Sequence, residues 1–163
     1  MAKKPKVNPA SAEPTVENRR ARHDYTIHDT LEVGIKLHGS EVKAVRAGRI
    51  SLGEGYVTAE LAPLGLHLHN ATIGDYDPAG PFGHAQGRIR TLLAHKREIE
   101  KLFRQTQQKG FTLVPLKLYW KHGYAKLLIG LGEGRGKADK RHAITEREQK
   151  RDMDRAMSKR MKF

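Results

Sequence analysis

Arg19, Arg20, Arg22, Lys43, Arg46, Arg49, Arg88, Arg90 and Lys96 are the side chains in this sequence whose type and spacing most clearly point to chemistry, and that chemistry is the holding of phosphate. Guanidinium and ammonium groups gathered on one surface neutralise a polyanion and release its counterions, which drives nucleic-acid binding without regard to sequence. His23 and Tyr25 follow the first three arginines and add rings able to stack on unpaired bases, although Tyr25 also fits a core position, which we favour. A solubilising surface would use the same cations. The chain, however, has 31 Lys and Arg against 18 Asp and Glu, a net charge of +13 in 163 residues, more than solubility asks for. Among polyanions, a single-stranded or folded RNA suits the mixture of cations and rings.

Other chemistries find less support. His67 and His69 sit two apart, on one face of any strand, but no third ligand is evident, so neither a metal centre nor a cofactor is expected. Glu32 and Glu41 are the only body carboxylates in suggestive settings, and each has a plain use as a strand-face or helix N-terminal charge. No pair held in a cleft for acid–base work can be argued, nor any activated nucleophile, so an enzyme is not expected. The glycines at 130, 132, 134 and 136 lack the dinucleotide-binding spacing and no Gly-Lys-Ser/Thr follows, so they read as a hinge. There is no cysteine, which excludes disulfides and thiolate ligands and fits the cytoplasm. No apolar run approaches the roughly 20 residues of a membrane span, and no basic amphipathic anchor is present. No secretory signal is read at Met1–Pro14.

The elements that must carry these groups follow from periodicity. Tyr25, Ile27, Leu31, Val33, Ile35 and Leu37 alternate, broken at Asp29, which predicts one long strand with one buried face. Val42 and Val45 predict a short helix over Gly39–Ala47, capped by Ser40 and stopped by Gly48, with Lys43 and Arg46 on a shared face. Tyr56–Glu60 and Leu66–Ile73 read as strands, and the Gly- and Pro-rich span from Asp75 to Gly87 as a loop. Ile89, Leu92, Leu93, Ile99, Leu102 and Phe103 predict a long helix from about Arg88 to Lys109, ended by Gly110. Phe111–Trp120 and Tyr124–Leu131 read as a hairpin turning at Lys121-His122-Gly123, with Lys117 and Lys126 on it. The fold class expected is mainly β with helices: an OB-type antiparallel β-barrel with flanking helices and a disordered basic C-terminal tail. The division expected is a disordered basic arm over residues 1–17, an RNA-binding body over 18–131, and a flexible basic tail over 132–163 that becomes helical against a partner.

Several long words in one order resemble the SmpB family: Asn18-Arg-Arg-Ala-Arg-His-Asp-Tyr25, Leu31-Glu-Val-Gly-Ile35, Gly39-Ser-Glu-Val-Lys-Ala-Val-Arg-Ala-Gly48, Leu92-Leu-Ala-His-Lys-Arg-Glu-Ile99, Thr112-Leu-Val-Pro-Leu-Lys-Leu-Tyr-Trp120 and Asp139-Lys-Arg141. The resemblance covers Asn18 to the end. It implies an adaptor of trans-translation whose barrel binds the tRNA-like domain of transfer-messenger RNA (SsrA RNA), standing in for the anticodon arm, and delivers it to stalled ribosomes for rescue and peptide tagging. Implied partners are that RNA, elongation factor Tu, and the ribosome, whose decoding centre and empty mRNA channel the tail would enter. Carried over by position, Asn18, Arg20, Arg22, His23, Glu32 and Leu93 fall on RNA-binding positions; Asp139, Lys140 and Arg141, with Lys137 beside them, fall on the ribosome-interacting tail motif. In that reading the cations and Asn18 contact phosphate and sugar, and Glu32 accepts from a base edge or orients an arginine. Leu93 is a contact by resemblance alone, since helical phase makes it core. The chain departs from the family in having Ala138 where an aromatic or His often precedes Asp139, and in lacking the acidic residue and proline before Leu92. The competing expectation is a generic OB-fold RNA-binding ribosomal protein or translation factor, which accounts for the charge but not for these words.

Overall fold

The computed structural model describes residues 14–75 and 83–136 together with Met153 and Met157. Among them, nine strands and three helices run in the order β1 (Val16–Glu17), α1 (Arg19–Asp24), β2 (Tyr25–Ile35), α2 (Gly39–Arg46), β3 (Ile50–Ser51), β4 (Tyr56–Leu61), β5 (Leu64–His69), β6 (Thr72–Ile73), β7 (Arg90–Leu93), α3 (Lys96–Thr106), β8 (Phe111–Lys121) and β9 (Tyr124–Gly134). The main sheet is antiparallel throughout. Its pairings run β8–β4–β5–β7–β2–β9 and return to β8, so the sheet closes on itself, consistent with an OB-type fold. The ring is closed by short ladders, a single Val57–Leu113 pairing between β4 and β8 and two pairings between β2 and β7. β1 joins from outside through Val16 opposite Leu118 and Glu17 opposite Lys117.

Alternation builds the interior. Val33 and Ile35 of β2, Leu66 and Leu68 of β5, Leu113 and Leu118 of β8, and Leu127, Ile129 and Leu131 of β9 are buried together. Ile99 and Leu102 of α3 join the same cluster, as do Ala44 and Val45 of α2, which lie near the small β3–β6 ladder.

Two bulges then turn part of each long strand to a second, smaller core. The β2–β9 register shifts between Ile27 and Asp29, and the β8–β9 register shifts between Pro115 and Lys117. An extra residue reverses the facing of the residues beyond it. Tyr25, Ile27, Val114 and Leu116 therefore pack with Ala21 of α1 and Leu128, while Leu31, Val33 and Leu118 face the main core. The single uninterrupted face expected for residues 25–37 is thus two faces, and the break at Asp29 marks the switch.

Three of the four alternating glycines are strand, not hinge, and Gly136 lies just beyond it. Gly130, Gly132 and Gly134 lie in β9, paired with β2, and Gly130 and Gly132 pair with β8 as well. A Cβ on Gly130 would lie 2.8 Å from Leu116 and 3.1 Å from Ile27, and one on Gly132 would lie 3.0 Å from Tyr25. Their bareness lets the second core close against β9. Order consequently runs past the expected boundary near Gly132, and Val16–Glu17 belongs to the sheet rather than to an arm. Lys137, Asp139, Lys140 and Arg141 lie outside the described residues.

The long helix expected from Arg88 is also shorter. Residues 90–93 form β7, with Arg90 and Leu92 inward and Thr91 and Leu93 outward, and α3 begins only at Lys96. The backbone N–H of His95 donates to Glu98 Oε2 at 2.7 Å, and that cap sets the start. α2 opens in the same way, with His38 N–H donating to Glu41 Oε2 at 2.7 Å; the expected Ser40 cap is not used.

Candidate nucleic-acid interface

α1 holds the first group of cations, and the sequence hid it because five of its six residues are polar and Ala21 alone makes no apolar stripe. Asn18 makes the helix. Its side-chain oxygen accepts from Ala21 N–H at 3.0 Å, the N-terminal cap such residues supply. Its amide nitrogen donates to the carbonyls of Leu52 at 2.8 Å and Pro115 at 2.9 Å, and its own backbone N–H donates to the carbonyl of Leu116. Only 4% of Asn18 is exposed. With its amide and backbone N–H so engaged, it is a bolt beneath the cations. Seated this way, α1 points Arg19, Arg20 and Arg22 outward, with His23 half-buried and its ring against Asp24. Arg20 pairs with Glu54 and with Asp24, so part of its charge is spent within the protein. An open cleft of about 340 Å³ lies here, and Asn18, Arg20, Asp24, Gly53, Glu54 and Tyr56 are among the residues that line it.

A second concavity of about 340 Å³ opens further along β2 and is lined by Glu32, Gly34, Leu93, Ala94, His95, Glu98 and Lys126. Pairing of Gly34 with Leu93 brings β2 and β7 together there. Leu93 is 58% exposed, since it points outward from a strand that places Leu92 inside. The helical phase that made Leu93 core is overturned, and the surface role implied by resemblance has the exposure it needs. Glu32 is held by neighbours the sequence did not tie to it. Tyr119 donates its hydroxyl to Glu32 Oε2, Lys121 Nζ donates at 3.2 and 3.3 Å, and Lys126 Nζ stands 4.0 Å from Oε1. The Tyr119 hydrogen bond and then Lys121 keep the carboxyl below the usual carboxylate range. Desolvation, then the hydrogen bond to Glu32 and its charge, pushes the Tyr119 phenol up to about 12. The signal was present as a period of two: Lys117, Tyr119 and Lys121 share one face of β8, and Lys126 faces Tyr119 across the hairpin.

Lys43 and Arg46 are exposed on α2 as expected, with the Arg46 guanidinium 4.8 Å from the Trp120 ring centroid. Lys96 is exposed at the start of α3 and stands 3.9 Å from Glu100. Arg90 is the plain correction: it is fully buried and cannot meet an RNA surface. It donates to Glu41 Oε1 at 3.0 Å, to the carbonyls of Arg88 and Gln86 at 2.9 and 2.7 Å, and to that of Ala71. Glu41, also fully buried, accepts from Arg88 as well as from His38 N–H. Burial alone would raise the Glu41 carboxyl, but Arg88, the His38 N–H and Arg90 together outweigh it and hold it low. Arg88 and Arg90 therefore serve as counter-ions for Glu41, tying α2 to β7. Among the described residues no group of three or more potential metal ligands occurs, and no helix is long and apolar enough to cross a membrane.

Comparison with known proteins agrees across these elements. The family model described as SmpB protein matches residues 15–159. A curated SsrA-binding protein of Frankia casuarinae is 51% identical over 146 residues, covering 90% of this chain and 91% of that one. The SsrA-binding protein of Staphylococcus carnosus is 45% identical over 160 residues, covering 98% and 99%. A solved chain described as "tmRNA-SmpB: a journey to the center of the bacterial ribosome" superposes with a TM-score of 0.65 at 42% identity, covering 80% of this chain and 94% of that chain.

Proposed function

This chain belongs to the SmpB family, and on that premise we propose that it is an RNA-binding adaptor of trans-translation, binding the tRNA-like domain of transfer-messenger RNA and bringing it to stalled ribosomes. The work is recognition rather than bond making, and its setting is the cytoplasm, where ribosomes stall. The observation that carries the reading is the arrangement along β2. A cationic helix is bolted at one end of the strand, and an acceptor beside an exposed leucine stands at Glu32, roughly 20 Å further on at strand rise.

Each group has a role its setting supports. Arg19, Arg20, Arg22 and His23 hold phosphate and sugar, as cations on an exposed helix do. Lys43, Arg46 and Lys96 add non-specific attraction. Glu32 and Leu93 supply an acceptor and an apolar contact to a base. Asn18 acts through α1, and Arg90 drops out of the binding set. The tail residues Lys137, Asp139, Lys140 and Arg141 engage the decoding centre and the empty mRNA channel, becoming helical there, and elongation factor Tu joins the same particle.

The test is binding of the purified chain to the tRNA-like domain against ordinary tRNA over a range of salt. A preference for the tRNA-like domain that persists as salt weakens both supports the adaptor. Equal, steeply salt-dependent binding to both would make the chain a generic OB-fold RNA binder.

A further inference from the structure

Glu32 is a half-exposed carboxylate among cations, and lysines alone would not orient it. Exposed ammonium–carboxylate pairs are weak, and the ammonium is a point charge with no preferred plane. Tyr119 is different in kind. Its ring is fixed on β8, with Lys117 Nζ 5.8 Å from the ring centroid, and its hydroxyl donates to one carboxylate oxygen only, Oε2. Because the phenol is pushed up to about 12, it remains a protonated donor at any physiological pH.

Oε2 takes the Tyr119 hydroxyl, Lys121 Nζ bridges both oxygens at 3.2 Å to Oε1 and 3.3 Å to Oε2, and Lys126 stands 4.0 Å from Oε1, whose remaining lone pair can take one further donor; Glu32 and Lys126 line the same concavity with Leu93. Gly34 keeps the floor open: a Cβ there would come 3.2 Å from Leu93 Cβ. An oriented acceptor next to an exposed apolar side chain suits the edge and face of a single unpaired nucleobase.

We propose that Tyr119 is a positioning residue for RNA recognition, fixing the Glu32 carboxylate so that Oε1 accepts an N–H from a base edge. The proposal rests on the RNA-binding reading above. It makes Tyr119 a residue that acts through Glu32 and touches no RNA itself.

A double-mutant cycle tests it: Tyr119→Phe, Glu32→Ala and the pair, each titrated with the tRNA-like domain at several salt concentrations and each melted thermally. Tyr119→Phe is expected to weaken binding roughly fivefold, the size of one lost hydrogen bond, with the salt slope unchanged because no phosphate contact is removed. In the Glu32→Ala background the same change is expected to cost less than about twofold, because the partner it orients is gone. Equal losses in both backgrounds, or no loss in either, would overturn the proposal. A fall in melting temperature accompanied by equal losses would make Tyr119 a packing residue. An unmutated chain that binds ordinary tRNA as tightly as the tRNA-like domain would remove the functional reading and this proposal with it. Preference for the tRNA-like domain with an additive cycle removes the proposal alone.

Discussion

The side-chain amide of Asn18 donates to the backbone carbonyl of Pro115, 97 residues along the chain, at 2.9 Å. This bond and its partner to Leu52 join the start of α1 to the β8 bulge and to the turn before β4. Position 18 is thus a structural joint beneath an interface.

Asn18→Ala should therefore lower stability and RNA affinity together. The lost cap costs about 1 kcal/mol, and two carbonyls left without their donor add about 1–3 kcal/mol. Thermal melts alongside RNA titrations check this. A variant that loses RNA binding at an unchanged melting temperature would show that Asn18 touches the RNA directly.

Glu41→Gln should destabilise the chain by about 3 kcal/mol at neutral pH, because Arg90 is left buried without its counter-charge. The pH dependence has a definite sign. The folded carboxyl lies below its ordinary 4.5, so its contribution is present above pH 4.5 and is lost as pH falls through the lower, folded value. Urea unfolding followed from neutral pH down to about pH 3 should show stability falling in that window for the native chain and a flatter profile for the variant. Parallel profiles would mean that other carboxylates carry the acid response.

Gly130→Ala and Gly132→Ala should each cost about 1–3 kcal/mol, since the added methyl meets Leu116 and Ile27 in one case and Tyr25 in the other. Gly134→Ala, with nothing within 4 Å of the new atom, should stay within about 0.5 kcal/mol. Equal, small effects at all three positions would restore the hinge reading of this run.

Arg19→Ala and Leu93→Ala should weaken RNA binding in different ways. Loss of the cation should lower the slope of log affinity against log salt by about 1, while loss of the leucine should leave the slope unchanged. Titrations at several salt concentrations separate the two. A changed slope for Leu93→Ala would remove it from the base-contacting set.

Ending the chain after Gly136 should leave binding to the tRNA-like domain largely intact and abolish peptide tagging on stalled ribosomes. Binding assays and a tagging assay on the same protein check it. Loss of RNA binding on truncation would contradict the division into binding body and ribosome-engaging tail.

Much of this architecture could be read from alternation and from turn residues. α2 and the β8–β9 hairpin fall within a few residues of where periodicity puts them, because apolar residues at strand or helix spacing have one way to be buried. The errors come from places where two local rules competed. Ile89, Leu92 and Leu93 fit a helical stripe, yet pairing of β7 with β2 and β5 prevails, and the His95–Glu98 cap was the available sign that the helix begins later. α1 has too little apolar surface to betray itself, and only the cap by Asn18, seen in space, accounts for it. Arg90 was misplaced on the surface because charge ordinarily implies exposure. Its burial depends on Glu41, 49 residues distant, and no local pattern links the two. The candidate interface was legible in its cations and in the family words, but not in the Tyr119 contact, which needs the hairpin register.

Arg135, immediately beyond β9, donates its backbone N–H to the carbonyl of Asp24, the last residue of α1, at 2.9 Å. The next pairs along the strand are Gly134 with Tyr25 and Glu133 with Thr26. A tug on the chain beyond Gly136 therefore has a defined load path. It is borne first at the foot of the cationic helix and then, rung by rung, by β2 on one side of β9 and β8 on the other. The last peptide group of α1 is thus the first anchor point for the chain that leaves the barrel.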